Sequence, residues 1–200
     1  MVWRRIAVSS SCTLRELHGA IQVAMGWEGI HLFQFCLRAA RYGSWEVSAS
    51  SPDVKLAELQ LRKGTRFLYE YDLNVPWEHE VRLEDRTEPE TGKKYPSCLG
   101  GGGHCPAEDC DGPAGFMDGR HALWSMDSLE DLTTVAGVID QVLLQGHEAV
   151  LGDEATRSAL EDALERSRAR ERAKGQPFSR RTVNTRFHRG DHRILMHQNY

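Results

Sequence analysis

Residues 66–84 read Arg66-Phe67-Leu68-Tyr69-Glu70-Tyr71-Asp72-Leu73-Asn74-Val75-Pro76-Trp77-Glu78-His79-Glu80-Val81-Arg82-Leu83-Glu84. Phe67, Tyr69 and Tyr71 fall on one side of the first run, with Glu70 and Asp72 on the other. In the second run Trp77, His79, Val81 and Leu83 share a side, opposite Glu78, Glu80, Arg82 and Glu84. Period-two alternation built from aromatic and β-branched residues predicts antiparallel strands with one packed and one wet face. Leu73-Asn74-Val75-Pro76 predicts the turn between them.

Upstream, Val2 to Val8 predicts a strand. Thr13 and Glu16 form a capping box, in which the hydroxyl serves the N3 amide and the carboxylate reaches back. Leu14, Leu17, Ile21, Ala24 and Met25 follow at helical spacing, and Gly26 supplies the stop. His31 to Leu37 predicts a buried strand, with Tyr42 to Val47 as its hairpin partner. Val54 to Leu59 predicts a short helical turn.

Downstream, periodicity stops from Asp85 to Asp118, where Gly, Pro and Cys dominate. Loops longer than roughly 12–15 residues are usually functional or disordered. Helical spacing resumes at Leu129, Leu132, Val135, Val138, Ile139, Val142 and Leu143, and again from Glu154 to Lys174. The expected architecture is α+β: a mostly antiparallel sheet, one main packed helix and a Cys-rich loop over residues 1–118. A helical extension over 119–174 and a basic, disordered tail over 175–200 complete it.

The chain has 200 residues, 40% of them hydrophobic and 27% charged, enough for one full domain with a real core. Its formal net charge of −4 shows no global bias toward nucleic acid or membrane, and no apolar run approaches a membrane span. Met1-Val2-Trp3-Arg4-Arg5 has no apolar stretch behind it, so a cytoplasmic protein is expected. There the five cysteines read as core residues or metal ligands rather than a disulfide framework.

Cys98, Cys105 and Cys110, with His104 inside the loop and His79 on the neighbouring strand, are the candidate metal set. Zn²⁺ takes about four tetrahedral S or N ligands. The glycine-rich span Gly100 to Gly103 would let the backbone wrap a structural zinc. The spacing contains no C-x2-C pair, so a packed-thiol loop and a redox or catalytic use stay open. His79 has the parallel alternative of a satisfied core histidine, and the aromatic set reads as core because its surroundings are acidic. No residue is assigned a catalytic role.

The tail is basic, with Arg180, Arg181, Arg186 and Arg189 as candidate nucleic-acid contacts through which DNA could bind. Lys/Arg runs neutralise phosphates without reading sequence. The bland alternative is a solvated helix face hinged at Gly175-Gln176-Pro177. Protein partners are not indicated.

Several stretches carry a resemblance: Trp3-Arg4-Arg5, Ala24-Met25-Gly26-Trp27, His31-Leu32-Phe33-Gln34-Phe35, Tyr69-Glu70-Tyr71-Asp72 and Trp77-Glu78-His79-Glu80-Val81. Tyr95-Pro96-x-Cys98, Cys105-Pro106-Ala107-Glu108-Asp109-Cys110 and the following Gly112-Pro113 continue it. Over about residues 3–116 this ordered set resembles the plasmid pRiA4b ORF-3-like family, and Phe178 to Asn184 resembles its C-terminal signature. The resemblance implies a compact α+β fold and a passenger role on plasmids and insertion elements. It thus implies a non-catalytic accessory or binding protein, the alternative being a metal-dependent enzyme acting on nucleic acid.

Some members are labelled resolvase-like, but this chain shows neither a nucleophilic serine among clustered arginines nor a nucleotide-binding-like domain. Members usually have a further strand before the Trp-Arg-Arg element, so here either the start is truncated or an edge strand is missing, and a missing strand would leave a sheet edge open to pairing. Many also carry Gly-Asp-Gly where this chain has Asn74-Val75-Pro76.

Overall fold

The computed structural model describes residues 1–198, the side chain of Glu148 excepted; the last two residues of the basic tail lie outside the described residues. The alternating run folds as β4 (Arg66–Tyr71) and β5 (Trp77–Arg82), antiparallel, with Tyr69 opposite His79 and Tyr71 opposite Trp77. β2 (Phe33–Leu37) pairs on the other side of β4 and β3 (Ala40–Gly43) closes the sheet, in the order β3-β2-β4-β5. Phe33, Phe35, Phe67, Tyr69, Tyr71 and Trp77 are all buried on one face.

The β2–β3 hairpin is tighter than the sequence predicts. The chain turns at Arg38, which takes a left-handed φ of 56°, and pairing begins at Ala40. Trp45–Val47 is a 3-10 turn rather than strand. Ser44 explains the change: its N–H donates to the Phe33 carbonyl (3.0 Å) and its hydroxyl accepts from the Phe33 N–H (3.2 Å). That double bond to β2 turns the chain out, leaving Trp45 exposed. Residues 54–59 form turns rather than a helical turn, because Leu56 and Ala57 donate instead to the Cys12 and Ser10 carbonyls.

α1 (Leu14–Met25) has the expected capping box, and Gly26 ends it at a left-handed φ of 81°. Every residue of α1 except Glu16 is buried, so the helix lies between two layers. On the sheet side His18 stacks on Phe33 (3.7 Å between rings) and Gln22 donates to the Tyr69 hydroxyl (2.8 Å).

The other layer contains a strand the sequence reading missed. β6 (Ser97–Gly102) pairs antiparallel with β1 (Trp3–Ala7), with a bulge at Arg5/Ile6. Gly100 to Gly102 therefore build a sheet rather than wrap an ion. A Cβ on Gly102 would sit 2.8 Å from the Trp3 indole nitrogen, and one on Gly101 would sit 2.7 Å from the Phe178 ring. The glycines admit an aromatic ring on each face.

The tail is also corrected. Residues 177–198 group with residues 1–113 as one compact unit. α6 (Arg180–Arg189) and α7 (Asp191–Leu195) place Val183, Phe187 and Leu195 against Ala20, Val23, Ala24 and Cys98. A count of arginines hides that apolar stripe.

The second unit, residues 114–176, is helical. It takes most of α2 (Gly112–Ala122), then α3 (Met126–Gln145), α4 (His147–Leu151) and α5 (Glu154–Ala173). α3 and α5 form a hairpin around Val138 and Ala163, with the buried Asp131 accepting from Arg166 (2.7 and 3.0 Å) and Arg170. Among the described residues no helix is long and apolar enough to cross a membrane.

Candidate functional site

Stretches far apart in sequence converge beside the C-terminal end of α1. Trp27, just past the Gly26 stop, is fully buried; its indole N–H donates to the Pro106 carbonyl (3.0 Å). Its ring packs on Tyr71 (5.0 Å), Trp77 (5.8 Å) and edge-on His79 (5.4 Å). Glu108 closes the arrangement. Its carboxylate accepts the backbone N–H groups of Glu28 (2.7 Å), Gly29 (3.0 Å) and Ile30 (3.1 Å), and the Tyr71 hydroxyl donates to it. Four donors saturate this carboxylate, so it fastens the loop rather than acting as a base. The Tyr71 hydroxyl also accepts from the His31 N–H (3.1 Å), and burial with the Glu108 contact raises its pKa well above that of a free phenol.

His31 stands at the rim, its Nδ1 3.7 Å from Asp72 and its Nε2 3.8 Å from Asp109. Asp72 is itself buried at the end of β4, in a left-handed conformation with φ 58°.

The predicted metal ligands do not assemble. Each loop thiol donates to a different carbonyl: Cys98 to Gly100 (3.6 Å), Cys105 to Met25 and Cys110 to Gly112 (3.8 Å). Burial pushes all three up, Cys105 to about 12 despite the Arg4 guanidinium beside it. His104 is exposed. His79 faces the core, its Nδ1 paired with the Trp77 carbonyl (3.0 Å), and burial lowers its pKa. Among the described residues no group of three or more His, Cys, Asp or Glu side chains is placed to hold a metal ion. The residues as arranged do not fit a four-ligand zinc site, so the loop is stapled by Glu108, Trp27 and the thiol–carbonyl contacts.

The tail gives the second candidate surface. Asn184 on α6 accepts the Cys98 N–H (2.8 Å) and donates to the Cys98 carbonyl (3.0 Å), occupying the edge of β6 as a neighbouring strand would. Val183 and Phe187 bury the same side of the helix. Of the four predicted contacts, Arg186 is consumed by Asp191 (2.9 Å) and Glu28 (3.3 Å). Arg180, Arg181 and Arg189 are exposed, and no ion pair among the described residues engages them. Beside them lies a pocket of about 340 Å³ lined in part by Lys93, Lys94, Asn184 and His188. Lys93 pairs with Glu90 (2.6 Å).

Sequence reasoning missed Asn184, Glu108 and His31 as organising residues. The signal lay in the resemblance, whose quoted motifs contain all three, because motifs that share no helix or strand period point to contacts in space.

The uncharacterised protein y4hQ of Sinorhizobium fredii is 33% identical over 129 residues, 62% of this chain and 66% of its own length. The chain thus spans just under two thirds of that relative. A crystal structure of a protein of unknown function, MM3350 from Methanosarcina mazei Go1, is similar with a TM-score of 0.58 and 30% identity, covering 62% of this chain and 74% of that one. A family model described as plasmid pRiA4b ORF-3-like protein matches residues 1–137, ending within α3, so Phe178 to Asn184 lie outside the match. With more than half its length matched, the chain belongs to the plasmid pRiA4b ORF-3-like family.

Proposed function

We propose that the protein is a non-catalytic accessory protein that binds the phosphate backbone of DNA through α6. One observation carries the reading. Arg181 and Arg189 stand exposed and without ion pairs among the described residues, on the side of α6 away from Asn184, Val183 and Phe187, and Arg180 is exposed at the first turn of the same helix. At 100° per residue Arg181, His188 and Arg189 share the outward side of α6. Lys94 adds a further cation at the adjoining pocket. A fixed cationic face neutralises phosphates without the ordering cost that a floppy tail would pay. The net charge of −4 does not oppose this, because charge is unevenly spread: between residues 177 and 198 Asp191 is the one acid among five arginines. The plasmid in the family's description fits a DNA-associated role.

The test is duplex DNA binding by fluorescence anisotropy across a salt series, comparing wild type with Arg180→Ser/Arg181→Ser/Arg189→Ser. Wild type is expected to bind with affinity that falls steeply with salt, and the triple variant to lose roughly 2–3 units of log–log salt slope. Absence of binding at low salt, or an unchanged slope in the triple variant, rejects the reading. These substitutions at exposed positions leave Asn184, Val183 and Phe187 in place, which truncation at residue 175 would not.

A further inference from the structure

α3 has two apolar faces, and only one is used within its hairpin. Val138 and the ion-paired Asp131 face α5. The other face carries Leu129, Leu132, Ala136, Ile139 and Leu143, spaced three, four, three and four residues apart. At 100° per residue those five fall within an arc of about 80°, the a/d seam of a coiled coil. Leu129 is 57% exposed, Leu132 61%, Ile139 55% and Leu143 79%, with Met126 (71%) and Leu144 (76%) flanking them.

We propose that this seam is a self-association surface, occupied by α3 of a second copy of the same chain, so that two hairpins form a four-helix assembly. The size fits. Those exposures amount to on the order of 700 Å² of apolar surface per copy, against the about 800 Å² that each partner gives to a standard specific interface. Monomeric proteins rarely expose contiguous apolar patches beyond a few hundred Å². The shape fits a helix of the same period, because knobs-into-holes packing needs a partner repeating every 3.5 residues, which α3 supplies.

The charge pattern selects the occupant further. α3 contains no Lys or Arg, which disfavours an anionic lipid surface or a nucleic acid. The heptad neighbours of the seam are Ser128, Val135 and Val142 on one flank and Met126, Thr133 and Asp140 on the other. A single charge per copy leaves self-pairing almost free of like-charge repulsion. This surface stands independently of the DNA reading, which concerns α6.

The test is sedimentation equilibrium of the full chain up to about 100 μM, comparing wild type with Leu132→Lys/Ile139→Lys, with far-UV circular dichroism of each. Wild type is expected to be dimeric with a Kd that is micromolar or tighter. The double variant is expected to bind itself more than about 100-fold more weakly with unchanged helicity. A wild type monomeric at the highest concentration overturns the proposal, as it would if another part of the same chain covers the seam. A variant as dimeric as wild type overturns it too, because the interface would then lie elsewhere. Should the double variant lose helicity, Leu143→Lys, near the end of the seam, replaces it under the same two criteria.

Discussion

The two faces of α1 are buried by different means. Toward the four-stranded sheet the helix presents long polar side chains, His18 and Gln22, which meet the Tyr69 hydroxyl at 2.8 Å each inside a wall of aromatic rings. Toward α6 and α7 it presents small ones, Gly19, Ala20, Val23 and Ala24. A Cβ added at Gly19 would lie 2.1 Å from the His192 carbonyl oxygen, so α7 rests almost on the helix backbone. Each side is also pinned by one polar residue far away in sequence, Glu108 through Tyr71 and residues 28–30, and Asn184 through Cys98. On the sheet side the charge of Glu108 is spent on its own fold. On the tail side the neutral Asn184 does the fastening, and Arg180, Arg181 and Arg189 stay exposed with no ion pair among the described residues. Charge saturated internally builds structure on one side, and a neutral side chain does the same work on the other, which is what the DNA-binding proposal rests on.

The tail side offers the largest break. Phe187 is buried against α1 and packs edge-on to His192 (5.7 Å). Phe187→Ala should cost about 3–5 kcal/mol by removing an aromatic side chain from a closely packed layer. Chemical denaturation measures it; a loss below about 1 kcal/mol would mean that the tail is not part of the cooperative unit.

The two polar pins give a matched, smaller pair. Asn184→Ala leaves the Cys98 N–H and carbonyl without their partner, and Glu108→Ala strips the acceptor from three N–H groups and the Tyr71 hydroxyl. Each should cost about 2 kcal/mol, the solvent-exposed amides of Glu28 and Ile30 softening the second. Hydrogen exchange separates them. The first should accelerate exchange in β6 and α6, and the second in residues 28–30, with β4 and β5 protected in both. Equal acceleration throughout would erase the distinction between the faces.

That distinction also governs what could be read in advance. The sheet side was legible because alternation at 66–84 and the Thr13–Glu16 box are local patterns with one structural meaning each. β6 was not legible, since Ser97-Cys98-Leu99-Gly100-Gly101-Gly102 lacks both β-branched residues and alternation. It is a strand only because the Trp3 and Phe178 rings cover its two faces. The tail's docking was hidden for a related reason: Val183, Phe187 and Leu195 are sparse among arginines, and their partner is a glycine- and alanine-lined face 160 residues earlier. For the cysteine set, spacing reports only which ligands could meet, and in the fold the three thiols donate to three separate backbone carbonyls. Glu108 was visible only as a turn residue, because its four donors come from segments that no local pattern connects to it.

Acidification gives the most graded separation of the two faces. Burial depresses His18 to about 3, whereas an exposed imidazole titrates near 6.5. The unfolded chain therefore takes up a proton below 6.5 that the folded chain refuses until about 3. The stability this neutral His18 represents is complete above 6.5 and is lost as the pH falls through that window, at up to about 1.4 kcal/mol per pH unit. His79 and, on the tail side, His192 are shifted in the same direction by burial and add to the slope. Asp53, held to about 2 by Arg15 and Ser51, has its ordinary value at 3.8 and contributes to the loss chiefly below it, so the interval from 6.5 to about 4.5 reports the histidines. His18→Gln should flatten the dependence of unfolding free energy on pH there, while His192→Gln should flatten it less. A His18→Gln slope equal to that of wild type would place the titrating groups elsewhere and remove the sheet face from the account.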